Sequence, residues 1–205
     1  MTIGRSLRPD PRRAFWRERR AQFPRLRCAV VEDARVNARH RGERHEFRSR
    51  LDAAIQILRL AWVSDAFAAQ VLYRVKARLQ ALGVPVVPRV AHRLAMVSAQ
   101  VSIGDPVIVH EGVYLIHGNV VIDGLVEIHP GVVIAPFVTV GLRAGDLTGA
   151  TIERDVSIGT GAKVIGPVRI GAGATIGANA VVLDDVPAKA TVVGAPARPI
   201  RVRVP

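Results

Sequence analysis

Cysteine, aromatic side chains and acidic charge are all in short supply in this chain of 205 residues. The one cysteine, Cys28, cannot close an internal disulfide. That excludes a disulfide-stapled scaffold and points to a reducing, cytoplasmic setting. Aromatic residues amount to 4% against 49% hydrophobic overall, so any core must be built from aliphatic side chains. No run of about eighteen uncharged apolar residues occurs, and no transmembrane helix is expected. The basic N-terminus is followed by no apolar run, so a signal peptide is not expected either. Acidic groups number 17 against 29 Lys plus Arg, a net charge of +12. The excess sits at the start, where residues 1–50 hold 15 arginines and 6 acids. Such charge would suit an anchor for RNA or an anionic membrane. Like-charge blocks without a hydrophobic period usually stay solvated, however. Residues 1–46 are therefore read as a basic, disordered arm, and nucleic acid is not an expected partner.

What the chain has in quantity is aliphatic residues at a fixed interval. Ile152, Ile158, Val164, Ile170, Ile176 and Val182 recur at every sixth position. Ile122, Ile128, Ile134 and Val140 keep the same spacing, as do Ile103, Val109 and Leu115. An amphipathic helix needs intervals of three and four, and a half-buried strand needs two. A period of six is the mark of a parallel β-helix in which each hexad supplies one short strand and one turn. Three hexads close a triangular coil, with the sixth-position aliphatics stacked inside. Gly159, Gly161, Gly171, Gly173, Gly177 and Asn179 fall between them, where tight corners demand positive φ.

Residues 47–97 carry helical spacing instead. Leu51, Ala54, Ile55, Leu58 and Ala61 mark one helix; Phe67, Val71, Leu72, Val75 and Leu79 mark a second, capped by Ser64 or Asp65 and stopped near Gly83. A third runs from about Val90 to Val97. Repeat arrays need capping elements, and these helices are expected to shield the open first coil.

The hexad period breaks twice. Leu115 to Ile122 spans seven residues around Ile116-His117-Gly118-Asn119. Val140 to Ile152 lacks an aliphatic at its midpoint, Asp146, and is expected to project as a loop. After Val182 the hexads stop, and Pro187 blocks further ladder pairing.

The stretches "SIGTGAKVIGPVRIGAGATIGANAVVL" and "VVGAPARPI" resemble the hexapeptide-repeat acyltransferases, and "GVYLIHGNVVID" resembles the coil that holds the catalytic histidine of the serine O-acetyltransferase group. The resemblance covers about residues 50–201. It implies a mainly β fold, a left-handed parallel β-helix of hexapeptide repeats preceded by a small α-helical segment. It also implies a trimer that takes acetyl-CoA or another acyl-CoA in the cytoplasm. The expected layout is the arm over 1–46, an α-helical cap over 47–97, the β-helix acyltransferase domain over 98–190 and a CoA-binding tail over 191–205.

By the same resemblance, His117 is the expected catalytic general base. A hydroxyl is a poor nucleophile until a base takes its proton, and imidazole suits that task near neutral pH. The base needs an orienting partner; Glu111, Asp123 and Asp146 are the candidates, and Gly141 is a possible oxyanion donor. Thr160 and Ala178 match small residues that line the pantetheine groove. Arg198 and Arg201 match tail arginines near the CoA phosphates, and Lys163 could add charge. The chain departs from the group at three places: Ile116 stands where an Asp is usual, Ser102 where another Asp is usual, and Leu147-Thr148 near the usual Arg-His pair. The acceptor is therefore a small hydroxyl, serine's or that of a sugar or natural product, or an amine. A non-catalytic trimeric scaffold is the alternative from another class. His110 and His129 each follow a buried aliphatic and are read as surface residues. Their spacings to His117, seven and twelve residues, do not match the zinc pattern of γ-class carbonic anhydrases, and no metal is expected.

Overall fold

The structure, a computed structural model, describes residues 11–200. Among these, five helices precede a three-sided parallel β-helix. The helices are α1 (Pro11–Ala21), α2 (Leu26–His40), α3 (Arg50–Val63), α4 (Asp65–Ala81) and α5 (Val87–Ala99). The first coil is β1 (Val101–Ile103), β2 (Ile108–Val109) and β3 (Tyr114–Leu115). The second is β4 (Val120–Ile122), β5 (Leu125–Ile128) and β6 (Val133–Ile134). The third is β7 (Thr139–Gly141), β8 (Thr148–Ile152) and β9 (Ser157–Ile158). The fourth is β10 (Lys163–Ile165), β11 (Arg169–Ile170) and β12 (Thr175–Ile176). The chain closes with β13 (Val181–Val182), β14 (Thr191–Val193) and β15 (Arg198–Ile200).

The coils stack into three sheets. The first side is β1-β4-β7-β10-β13, the second β2-β5-β8-β11, and the third β3-β6-β9-β12-β14-β15. Register follows the six-residue period: Ile122 pairs with Val140, Val140 with Val164, and Val164 with Val182. Every sixth-position aliphatic from Ile103 to Val182 is buried. The position two residues earlier is buried as well, from Val107 and Val113 through Val156 and Ala162 to Ala180. Each hexad thus sends two side chains inward. Full burial of a Val, Ile or Leu contributes about 1.5–3 kcal/mol, which lets strands of two or three residues hold.

The first coil leaves one edge of backbone groups unpaired, and α4 covers it. Ser64 caps this helix by accepting from Phe67 N. Its buried face then presents Gln70, Tyr73, Arg74 and Lys76. Gln70 donates to Val113 O (2.9 Å), Tyr73 to Val107 O (2.8 Å), and the Lys76 ammonium to Ile103 O. The Tyr73 oxygen also accepts from Val109 N at 3.2 Å. Burial raises the Tyr73 phenol to about 12, so it remains a donor.

The expectation of a disordered arm over residues 1–46 fails for its described part. Helix α2 buries Ala29, Asp33, Ala34, Asn37 and Ala38. Asp33 is held by Arg74 through Nε at 2.8 Å and Nη2 at 3.2 Å, and accepts from Gly112 N at 2.9 Å. Arg74 also donates to Val109 O and, at 2.7 Å, to His110 O. Burial pushes the Asp33 carboxyl above its ordinary value, even beside the guanidinium. A charge sequestered this way needs its partner, and that pairing orders α2 despite its few large apolar residues.

No single helix among the described residues is long and apolar enough to cross a membrane. Helices α3 and α4 pass that test only as a pair bent by 118°, and α4 is spent on the first coil.

Candidate active site

The three corners of the coil carry different chemistry. Where the third side turns into the first, successive coils place Ile116-His117-Gly118-Asn119, Ala135-Pro136-Phe137, Gly159-Thr160-Gly161 and Gly177-Ala178-Asn179 one above another. Backbone bonds tie this column together: Phe137 N donates to Asn119 O (2.8 Å), Gly161 N to Pro136 O (2.9 Å) and Asn179 N to Thr160 O (2.8 Å). Asn119, Phe137, Gly161 and Asn179 all have positive φ, as the turn requires. His117, Thr160 and Ala178 are exposed on this edge. With coils about 4.8 Å apart, His117 lies about 14 Å along the column from Ala178.

His117 owes its position to the neighbouring glycine. A Cβ on Gly118 would lie 1.9 Å from Ala99 O, at the end of α5. Asn119 N donates to that same carbonyl at 2.9 Å. The insertion that broke the hexad period is thus the point where the helical segment docks on the corner.

Lys163 follows the same corner on the fourth coil, and its Nζ donates to Phe137 O at 2.7 Å. Arg198 lies on β15, exposed, with Nη1 3.3 Å from Asp184 Oδ2. Arg201 lies outside the described residues. None of the three candidate orienting acids is bonded to His117. Asp123 accepts from Gly124 N (2.8 Å) and Asp146 from Thr148 N (2.7 Å), each within its own turn. Glu111 sits on the second-to-third corner. Gly141 ends β7 at the far end of the first side from this column.

One residue of the column was not anticipated. Phe137 is 57% exposed with φ of 63°, between His117 and Thr160. A bulky side chain in the left-handed region costs about 1–2 kcal/mol. The available signal was an aromatic beside Pro136 at a corner position, in a chain with few aromatics.

The other two corners are built differently. The first-to-second corner carries residues 142–147 as the expected loop, and Arg143 reaches Leu183 O. At the second-to-third corner, His110 and His129 occupy the same place on consecutive coils. They are part-buried and meet Glu127: Oε1 is 2.8 Å from His110 Nε2 and 3.6 Å from His129 Nε2. Burial works against ionisation of Glu127, yet the hydrogen bond from His110 and nearby positive charge hold its carboxyl below the ordinary value.

Stacked six-residue coils of this kind define a hexapeptide-repeat β-helix, here with an exposed histidine on one edge. The bacterial transferase hexapeptide (six repeats) family matches residues 149–184. A serine acetyltransferase of Synechococcus elongatus is 37% identical over 138 residues, 65% of this chain and 56% of that protein. The serine acetyltransferase of Helicobacter pylori strain J99 is 37% identical over 118 residues, 56% of this chain and 68% of that protein. A solved serine acetyltransferase in complex with CoA superposes with a TM-score of 0.71 at 27% identity, covering 89% of this chain and 73% of the other. The chain belongs to the serine acetyltransferase family. It spans only about half the length of the curated relatives it matches first, 56% and 41%.

Proposed function

We propose that this protein transfers an acyl group, acetyl in the first instance, from acyl-CoA directly to a hydroxyl, with His117 as general base. The observation that carries the reading is the single edge shared by His117, Thr160 and Ala178. An extended thioester lying along it would have its carbonyl at the imidazole, its arm passing Lys163 and its phosphates toward the end of the coil that carries Arg198. His117 would take the hydroxyl proton as oxygen attacks the thioester carbon. The tetrahedral intermediate then expels the CoA thiolate, and the imidazolium returns the proton. Such a base contributes roughly 10²–10⁴-fold. The working unit is proposed to be a homotrimer in the cytoplasm, with the segment over 47–97 as cap and 191–205 as the CoA-binding tail. A stable monomer in sedimentation at micromolar concentration would refute the trimer.

Serine is the first acceptor to test. A second reading, an acceptor with an apolar body such as a natural-product alcohol, is favoured by Phe137 and Ile116. Both put hydrocarbon beside the imidazole, where a small amino acid would need charge.

The test is CoA-thiol release across a panel of hydroxyl acceptors, followed by kinetics of two variants. His117→Ala should lower kcat by roughly 10²-fold or more with CoA affinity intact. Arg198→Ala should raise KM for acyl-CoA with little change in kcat, because a phosphate contact acts in ground and transition states alike. Full turnover by His117→Ala would remove the imidazole from the mechanism. No CoA binding by the parent protein would leave the scaffold alternative.

A further inference from the structure

The second-to-third corner holds a donor set that acyl transfer does not use. His110, Glu127 and His129 each offer one ligand atom, and all three atoms lie within 4.8 Å of one another. We propose that these residues bind a divalent transition-metal ion of the zinc type, which clips the first coil to the second.

The placement is fixed by backbone. In the ladder Ile108 pairs with Glu127 and Val109 with Ile128, so His110 and His129 are consecutive floors of one corner. His110 N donates to Ile128 O at 2.8 Å, and His129 N to Ile152 O at 2.9 Å. The rings stack, with centroids 4.8 Å apart and planes 15° from parallel. Both therefore turn Nε2 to the same carboxylate. The His110 carbonyl is gripped from behind by the buried Arg74, at 2.7 Å. Arg19, whose positive charge also acts on Glu127, spends its hydrogen bonds on Pro106 O and Val126 O, each 2.8 Å away.

A simple histidine–carboxylate hydrogen bond accounts for half of this arrangement. It explains the 2.8 Å approach of His110 to Glu127 but not the aim of His129 at the same oxygen from 3.6 Å, beyond hydrogen-bond range. One ion accounts for both. Zinc bonds of about 2.0–2.1 Å put tetrahedral ligand atoms roughly 3.4 Å apart. The two observed separations straddle that value, and binding requires the near-parallel rings to turn out of their stack so that both in-plane lone pairs meet one ion. Two imidazoles with one carboxylate suit zinc and its neighbours, whereas magnesium and calcium want oxygen throughout. Three protein ligands leave one position for water. A cavity of about 740 Å³ adjoins His129 and is bordered by Glu153, Arg154 and Arg169, which gives solvent or a small anion access.

The experiment is titration of chelator-treated full-length protein with Zn²⁺, read by calorimetry and by the melting temperature, with Co²⁺ absorption reporting coordination number. The expected result is one ion per chain, four-coordinate cobalt bands and a raised melting temperature. His110→Ala and His129→Ala should each weaken binding by about 100-fold or more. Glu127→Gln should weaken it less, and His117→Ala should leave it unchanged. Because the three side chains are part-exposed, the variants should fold, and circular dichroism of each checks this. No saturable binding by the parent protein overturns the proposal. So does unchanged affinity in the His110→Ala/His129→Ala double variant. These readouts need no acyl-transfer activity, so they stand apart from the fate of His117.

Discussion

Replacing Arg74 by Ala would test how the helical segment is joined to the coil. The side chain is 3% exposed and its partner Asp33 is 1% exposed. Removing the guanidinium strips Asp33 of two hydrogen bonds and leaves it only Gly112 N. It also withdraws a donor from the carbonyls of Val109 and His110. Breaking one side of a buried pair costs about 3–5 kcal/mol, because the surviving charge is stranded. At about 4 kcal/mol the folded-to-unfolded ratio falls nearly a thousandfold. The assay is denaturant unfolding at fixed protein concentration, since any assembly adds a mass-action contribution. The Asp33→Ala/Arg74→Ala double variant should recover part of the loss, with a coupling of about 0.5–3 kcal/mol. The pH dependence has a definite sign. Burial already raises the folded carboxyl above its unfolded value, and loss of Arg74 raises it further. A carboxyl raised in the folded state contributes stability below the unfolded pKa of about 3.9 and loses it as pH rises. The variant should therefore be least impaired near pH 4 and most impaired at neutral pH. A loss under about 1 kcal/mol at pH 7, or one independent of pH, would refute the idea that this pair locks α2 and α4 to the first coil.

Two further outcomes are expected from other parts of the molecule. Gly118→Ala drives a Cβ to within 1.9 Å of Ala99 O, so it should cost about 1–3 kcal/mol in unfolding measurements and lower kcat by moving His117. A turnover and stability equal to the parent's would show that the α5 end yields freely. Asp52 is held at about 2 by hydrogen bonds from Arg44 and from the Arg48 amide. Its folded pKa is depressed, so its stabilisation is complete above the unfolded value of about 3.9 and disappears as pH falls through about 2. Asp52→Asn should flatten that part of the acid limb of a stability–pH profile, and an unaltered limb would count against the pairing.

How far the sequence could be read depended on which interactions repeat. The interior of the coil was legible because Ile122, Val140, Val164 and Val182 each answer to the same register, and one period predicts them all. His117, Thr160 and Ala178 were named from the resemblance of their motifs, and the structure puts all three on one exposed edge. Helix α2 was not, because it buries Ala29, Ala34 and Ala38 around a charged Asp33. Small residues leave a faint hydrophobic period, and the reason Asp33 can be buried, Arg74, lies forty-one positions away. The histidine pair was missed for a different reason. Spacing was judged along the chain, from His110 to His117 to His129. The spacing that matters is around the coil. The first coil is one residue longer than three hexads because of the insertion near His117, so nineteen positions, from Val109 to Ile128 and from His110 to His129, make one full circuit. Counting in circuits puts these two imidazoles on adjacent floors and His117 on another corner.

The way the ladder ends has a consequence for how copies of this chain meet. A parallel solenoid is its own template: the last coil of one molecule offers the pairing groups that the first coil of the next would accept. Here the opening coil is covered, and the third side is closed off at its far end. Gln70, Tyr73, Arg74 and Lys76 occupy the carbonyls of the opening coil, and β15 runs antiparallel along β14 at the other end, with Val193 opposite Arg198. A reversed strand presents the wrong polarity to an incoming parallel coil, and a helix face presents none. Such caps work against head-to-tail pairing of short, flat, aliphatic strands into fibres.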